Sequence, residues 1–524
     1  MPRRLTLFLV VGLLMASCTS GPAGQPLSYP TYDPFVPVQD GGPATGNQEA
    51  ETAPTRTPGP TPTRAPLTVL IPTRKPGAPL TTPTADLPHP LPTPRQDAAQ
   101  YVVRAGDSLG SIAAAYGISA EALAQTNEIA LESVLSIGQS LRIPAPSLGA
   151  GGPSFKIIPD SELVYGPASA GFDVAGFIQE RNGYLAAYSQ DVNGEMLTGA
   201  QVVERVARNY SVNPRLLLAL LDYRSKWVSS AEPAPGTDEY PLGFVGPNHD
   251  GLYHQLAWAA SELNRGFYLW RVNAAGDWVL GDSGIVPIDP TINAGTAGLQ
   301  NLFSILDDRQ TWDTDVTAYG LFQTYFFLFG DPFDLAIEPL VPASLSQPRM
   351  VWPFAHGTQW AYTGGPHAAW DYGSAWAAVD FAPSDVMGCA VSDEWVTAAA
   401  DGYIVRASDG AGVEDLDGDG YEQTGWDVLY MHMAAEGRVP AGTYVFAGER
   451  IGHPSCEGGI ANAAHLHLAR KYNGEWIPAD GRLPFTLSGW ASSGNGLEYD
   501  GFFKRGSKLL EAAEGITETN QIAP

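Results

Sequence analysis

The sequence predicts a multidomain chain: a small β-α-α-β module, a mostly α-helical middle domain and a C-terminal all-β domain built on an antiparallel sheet. Three observations carry this. Near Ala98 a Pro- and Thr-rich stretch gives way to ordinary apolar patterning. Between Phe155 and Gln347 long apolar runs such as LYHQLAWAASELNRGFYLW have helical character. Beyond Pro348, alternating segments such as HLHLAR and VLYMHM take over, which is the period of a half-buried strand.

The chain has 524 residues and a formal charge of −27, a length that suggests about three domains. The acidic balance argues against nucleic acid or an anionic membrane surface as a general partner, because the long-range field repels both. Residues 1–17 have the parts of an export signal: Arg3 and Arg4, an apolar run from Leu5 to Met15, then small residues. That run is too short to span a bilayer. Met15-Ala16-Ser17-Cys18 is similar to a bacterial lipobox, with Cys18 acylated after cleavage; ordinary secretion with cleavage nearby is the other reading. The first reading places the protein outside the cell, lipid-anchored in the envelope and facing the wall, with no other contact to the membrane. Residues 18–98 follow as a disordered tether, with thirteen prolines between Pro54 and Pro94 and too few large apolar residues to fold.

Residues 99–145 form the small module. Tyr101-Val102-Val103 and Ser140–Ile143 read as strands, Asp107 or Ser108 caps one helix, and Ser119 caps a second through Thr126. YVVRAGDSLGSIAAAYGISAEALAQTNE with IGQSLRIP resembles a LysM domain along its whole length. The resemblance implies a groove for N-acetylglucosamine-containing glycan between two loops, here Gly106, Asp107 and Ser108 with Ile137, Gly138 and Gln139.

In the helical domain, residues 155–347, Asn213-Pro214 opens an apolar helix as an N-cap followed by proline at the first helical position. NPRLLLALLDYRSKWV faintly resembles the start of a lytic transglycosylase. Arg224 stands where that family has a catalytic Glu, and a guanidinium cannot be a general acid. A helical scaffold or glycan-strand binder is the reading that remains.

Residues 350–506 hold the candidate chemistry, and 507–524 read as a tail. Six of the nine histidines fall between His356 and His467. His367 in GGPHAAW, Asp380 in AAVDFA, His432 in LYMHM, and His465 with His467 in AHLHLA can assemble one metal site. As a strand, HLHLAR puts His465 and His467 on one face with Leu466 and Leu468 behind them. VLYMHM, as a second strand, puts Val428, Tyr430 and His432 on one face, delivering His432 to the same cavity. Two imidazoles, one carboxylate and an open position describe a catalytic zinc site, since structural sites are closed by four protein ligands.

These segments resemble the lysostaphin- and staphylolysin-type zinc endopeptidases of bacterial peptidoglycan, from about Trp352 to Trp490. VTAAADGYIVRA and VPAGTYVFAGERIG match the family's intervening strands. The long step from His367 to Asp380 is similar to the staphylolysin subgroup. The family's Thr-Gly before H-x-H is replaced by Ile460-Ala461-Asn462-Ala463-Ala464. The resemblance implies one zinc ion held by His367, Asp380 and His467, with His465 as base to the water and His432 steadying the oxyanion. It implies hydrolysis of a peptidoglycan peptide bond; the competing reading is a non-catalytic wall scaffold or an activator of another hydrolase.

Two further features belong to this region. Asp415, Asp417 and Asp419 lie in a D-x-D-x-D-G run like a calcium loop, although Trp426 stands where the twelve-residue loop wants a bidentate Glu; Gly-Asp runs also simply make turns. Cys389 and Cys456, the cysteines left once Cys18 is lipidated, suggest a disulfide in an exported chain.

Overall fold

The computed structural model describes residues 91, 97–104, 107–116, 118–131, 133–145, 151–282, 284–385 and 387–523. The export signal, Cys18, nearly all of the tether and Gly106 lie outside the described residues. The architecture is the multidomain one expected: a small β-α-α-β module, a helical middle and a C-terminal antiparallel sheet. No helix among the described residues is long and apolar enough to cross a membrane.

In the module, β1 (Ala99–Val102) pairs antiparallel with β2 (Ser140–Ile143) around α1 (Leu109–Ala115) and α2 (Ala120–Thr126). Ser119 caps α2 by accepting the Ala122 N–H at 3.1 Å. Ser108 accepts the Ser111 N–H at 3.0 Å and starts α1. The Asp107 carboxylate instead closes the preceding turn, accepting the Arg104 N–H at 2.6 Å and the Tyr101 hydroxyl at 2.8 Å.

The helical region is built on α3 (Gly199–Tyr210), α4 (Pro214–Ser225), α5 (Gly251–Arg271), α6 (Ala294–Leu306) and α7 (Leu321–Phe329). Thr198 and Gln201 make a reciprocal capping box on α3. Asn213 accepts the Arg215 N–H with Pro214 at the first helical position of α4. The long apolar α5 and α6 pack side by side at the centre of the largest core.

The C-terminal region is a nine-stranded sheet. Its strands are β3 (Trp360–His367), β4 (Ala378–Pro383), β5 (Gly402–Ser408), β6 (Ala411–Asp415), β7 (Trp426–Met431), β8 (Tyr444–Val445), β9 (Leu466–Tyr472), β10 (Glu475–Trp476) and, after a separate meander, β14 (Gln521–Ile522). The order is β8-β5-β6-β7-β9-β4-β3-β14, with β10 also paired to β9. The meander contains β11 (Trp490–Gly494), β12 (Gly501–Arg505) and β13 (Lys508–Glu511). Residues 507–524, expected as a tail, therefore supply two strands. Buried Asn520 fastens the return, donating to the carbonyls of Tyr362 at 3.1 Å and Gly515 at 2.8 Å.

Alternation divides the sheet into two faces. Leu466 and Leu468 pack with Val379, Phe381, Val428 and Tyr430 in one core. Ala378, Leu429, Met431 and Ala469 belong to the other, which is continuous with the helical region. His467 lies opposite Asp380 on one side and Met431 on the other, and so shares this second face.

The sheet also buries Glu414, on β6, completely. Its Oε2 accepts from the Tyr430 hydroxyl at 2.5 Å, its Oε1 has no partner, and burial pushes its pKa up from 4.5 to about 8. A carboxyl with a raised folded pKa binds its proton more tightly in the folded chain. Its contribution is complete below the unfolded value and is lost as pH rises through about 8. Glu414 therefore lowers stability progressively between about pH 5 and pH 8, and Glu414→Gln should shift the slope of melting temperature against pH upward over that range, an effect on the order of a few kcal/mol. An unchanged slope of melting temperature against pH in the variant contradicts this account.

Candidate metal centre

Three neighbouring strands deliver three ligand atoms. Asp380 on β4 and His467 on β9 are directly opposed. His367 ends β3, after a break in register between Gly364 and His367 that turns it toward the pair. His367 Nε2 lies 3.2 Å from Asp380 Oδ1, His467 Nδ1 lies 3.2 Å from the same oxygen, and the two nitrogens are 3.0 Å apart. A tetrahedral ion with bonds of about 2.0–2.1 Å holds its ligands about 3.3 Å apart.

The hydrogen bonds decide what these atoms can do. His367 Nδ1 donates to the Gly365 carbonyl at 2.7 Å, and His467 Nε2 donates to the Ala369 carbonyl at 2.8 Å. A neutral imidazole that donates from one nitrogen offers a lone pair at the other. Two lone pairs therefore face each other across 3.0 Å, beside a buried Asp380 Oδ1 that accepts no hydrogen bond. With both rings neutral and no cation, that arrangement is repulsive. The donor set, its spacing and the orphaned oxygen all fit a zinc ion.

Electrostatics agree for Asp380 and His467. Burial opposes the charge on Asp380, but His367 and His465 beside it outweigh burial and hold the carboxyl well below the usual range. Burial pushes His467 down and favours its neutral, ligating form. For His367 burial acts the same way, but the attraction of Asp380 prevails and raises it. Gly364 makes room for the carboxylate: a Cβ there would meet Asp380 Oδ2 at 2.6 Å.

His465 and His432 complete the cluster, with ring centroids 4.4 Å apart. His465 Nδ1 donates to the Ala463 carbonyl at 2.8 Å, leaving Nε2 3.7 Å from Asp380 Oδ1. His432 arrives by a route that alternation did not predict. Val428 and Tyr430 face the opposite core, and strict alternation would have sent His432 there too. Instead β7 stops at Met431 and His432 adopts a left-handed φ of 63°. The turn is held by Ser455, which donates its N–H to the His432 carbonyl at 2.6 Å and its hydroxyl to the same oxygen at 3.1 Å. Burial, then repulsion from His465 and His467, holds His432 well below the usual imidazole range. Next to Ser455, Cys456 is joined to Cys389, with Cα atoms 5.3 Å apart. The disulfide thus anchors the segment that shapes both accessory histidines.

Contacts that carry no motif frame the site. Tyr499 stacks on His367 with centroids 4.2 Å apart. The loop between His367 and Asp380, which provides the Ala369 carbonyl, docks on α5. Its Tyr372 hydroxyl donates to Glu262 Oε1 at 2.6 Å, and its Gly373 N–H donates to Ser261 Oγ at 3.3 Å. A Cβ on Gly373 would lie 1.8 Å from the Ser261 carbonyl, so only glycine fits this approach. Long-range pairing of this kind leaves no trace in local sequence.

Other candidates lie elsewhere. In the module, the Gly138 N–H donates to the Val103 carbonyl at 2.8 Å and Val103 donates to Gln139 at 2.9 Å. Residues 137–139 therefore lie beside the strand end leading to Asp107 and Ser108, and Ile137 is exposed. Asp415, Asp417 and Asp419 gather at the end of the β6–β7 hairpin remote from His432. Arg224 Nη1 is paired with Asp307 at 2.9 Å, and buried Asp222, in the transglycosylase-like segment, accepts the Ser229 N–H at 2.8 Å.

Residues 156–342 match the family model described as LasA, N-terminal domain, and residues 101–144 match that of the LysM domain. The chain carries both modules. The resemblance to LysM and lysostaphin-type proteins is thereby borne out. No curated protein sequence matches the chain. Similar solved structures include Pseudoalterin, described as a novel M23 metalloprotease from the deep sea, with 24% identity over 34% of this chain and 100% of that one, at a TM-score of 0.26. A zinc-containing peptidase from Vibrio cholerae has 17% identity over 26% of this chain and 41% of that one, at 0.19. The catalytic domain of the antimicrobial peptidase lysostaphin from Staphylococcus simulans has 25% identity over 23% and 89%, at 0.17.

The space beside Asp380 gives a direct test. Gly364→Ala should displace the carboxylate and weaken zinc affinity by roughly 10- to 100-fold while the circular dichroism spectrum stays that of the parent. Undiminished affinity in a folded Gly364→Ala chain contradicts the role given to this glycine.

Proposed function

We propose that the protein is a zinc metallo-endopeptidase that hydrolyses peptide bonds of peptidoglycan, acting at the cell wall. The observation that carries this reading is the convergence of two lone-pair nitrogens and a partnerless buried carboxylate oxygen at 3.0–3.2 Å, with two further imidazoles beside them. His367, Asp380 and His467 would hold the ion, and the open side belongs to substrate and water. Zinc bound there supplies a Lewis acid for the scissile carbonyl and acidifies a coordinated water.

His465 is the residue best suited to take the proton. Its Nε2 carries the lone pair, and it is the least enclosed of the four site histidines. It can return that proton to the leaving amine. The part for His432 differs from the one the resemblance implies. Its Nδ1 donates to the Glu457 carbonyl at 3.1 Å, so Nε2 accepts rather than donates. Steadying an oxyanion would need a proton on Nε2, which burial and the neighbouring imidazoles oppose. His432 instead accepts a hydrogen bond from the attacking water or a substrate N–H.

The matches to the LysM and LasA N-terminal models support a wall substrate. A LysM module that holds the glycan raises the concentration of peptide at the zinc domain. The test uses the full chain on purified peptidoglycan. Release of new amino groups should track bound zinc, cease with a chelator, and be lost together with zinc in His467→Ala. Zinc-loaded protein that releases no amines, or full release by His467→Ala, would sink the proposal.

A further inference from the structure

The helical region and the zinc domain enclose a cavity of about 200 Å³ where they meet. Its walls come from the segment before α3, from α3 itself, and from the loop between β6 and β7, the end of that hairpin remote from His432. Polar groups of complementary kinds line it. Glu204 and Arg208 come from α3, Tyr165 from the segment before it, and Gln423 from the loop, with Phe172 and Pro214 adding apolar surface.

Glu204 and Arg208 stand one helical turn apart with the acid on the N-terminal side, the arrangement that ordinarily closes an ion pair along a helix. Here that pair is not made. Glu204 feels Arg208 as a charge through space, with no hydrogen bond between them. Arg208 Nε is buried and has no hydrogen-bond partner. Glu422, whose charge also reaches Arg208, is engaged elsewhere: its Oε2 lies 3.2 Å from Arg406 Nη2 and 3.4 Å from Lys471 Nζ. Burial raises Glu204, and Arg208 offsets that rise only in part. Burial and then the charge of Glu422 push the Tyr165 hydroxyl up, so it stays protonated and able to donate. Leaving a buried charged group without its hydrogen bonds is costly, and a ligand that supplies them recovers that cost.

We propose that this cavity binds the end of a short peptide, with the peptide carboxylate on Arg208 and its free ammonium on Glu204. A guanidinium presents its N–H donors in a planar fork that matches a carboxylate, and such charged hydrogen bonds are about twice as strong as neutral ones. Opposite charges that face one cavity without meeting are complementary to a zwitterion. A simple anion would be repelled by Glu204, and a simple cation by Arg208. Tyr165 and Gln423 offer a donor and an amide to the peptide group between the two ends, and Phe172 and Pro214 take a small apolar side chain. The volume suits one or two amino-acid residues and excludes a folded partner. Junctions between domains are common places for such sites. Because it lies at the hairpin end remote from His432, the pocket is a second peptide site and not an extension of the metal centre.

The test is calorimetry on the full chain with alanyl-alanine, its C-terminal amide and its N-acetyl form. The free dipeptide should bind at one site, and each blocked form should bind at least about ten-fold more weakly, the worth of one charged hydrogen bond. Arg208→Gln should impose the same loss on the free dipeptide and no longer distinguish it from the amide. Should that variant fail to fold, the comparison of free and blocked dipeptides on the parent chain still decides. The L,L and D,D dipeptides are both titrated, and the tighter one identifies the source of the peptide as protein or cell-wall stem. His467→Ala should bind the dipeptide as the parent does, which separates this pocket from the zinc reading. No saturable binding to the parent, equal binding of free and blocked forms, parent-like affinity in folded Arg208→Gln, or binding lost in folded His467→Ala overturns the proposal.

Discussion

The structure depends on a set of hydrogen bonds that fix which nitrogen of each histidine is free. Four backbone carbonyls, from Gly365, Ala369, Ala463 and Glu457, take the N–H of His367, His467, His465 and His432. Each imidazole is left with its lone pair turned into one small space. Rotating a ring or moving a proton there would cost a buried hydrogen bond, on the order of 1–3 kcal/mol. Beside them Asp380 is ionised and without a donor on Oδ1. A site that collects lone pairs and negative charge while excluding donors is prepared for a cation.

The same requirement connects the parts of the chain. Ala369 belongs to a loop held against α5 through Tyr372 and Gly373, so a helical segment far away in sequence steadies the carbonyl partner of His467. Glu457 belongs to the segment anchored by the Cys389–Cys456 bridge. The helical region also shares an apolar core with one face of the sheet. That region holds the loop carrying the Ala369 carbonyl and covers one face of the sheet.

How much was legible in the sequence follows from the range of each interaction. Strict alternation in HLHLAR placed His467 opposite the leucine face, because a period of two is a local property. Ser119, Asn213 and Pro214 announced their helix starts for the same reason. Alternation misdirected His432, since a single left-handed residue cancels the period and its cause, Ser455, lies 23 positions away. The tail reading of residues 507–524 failed similarly. β14 has only two residues, and Asn520 is fixed by bonds to a strand more than a hundred residues earlier. Tyr499 on His367 and Asp427 opposite Asp415 are invisible to motif spacing, because each depends on which strands become neighbours.

The central claim is that Asp380 and not His432 shares the ion with His467. The geometry contains both possibilities, since His432, His465 and His467 also converge within 4.8 Å. Zinc affinity of the full chain, Asp380→Ala and His432→Ala, measured side by side by competition with a chelating dye, separates them. The account predicts that Asp380→Ala loses the zinc while His432→Ala keeps it at close to parental affinity. Zinc retained by Asp380→Ala and lost by His432→Ala would contradict it.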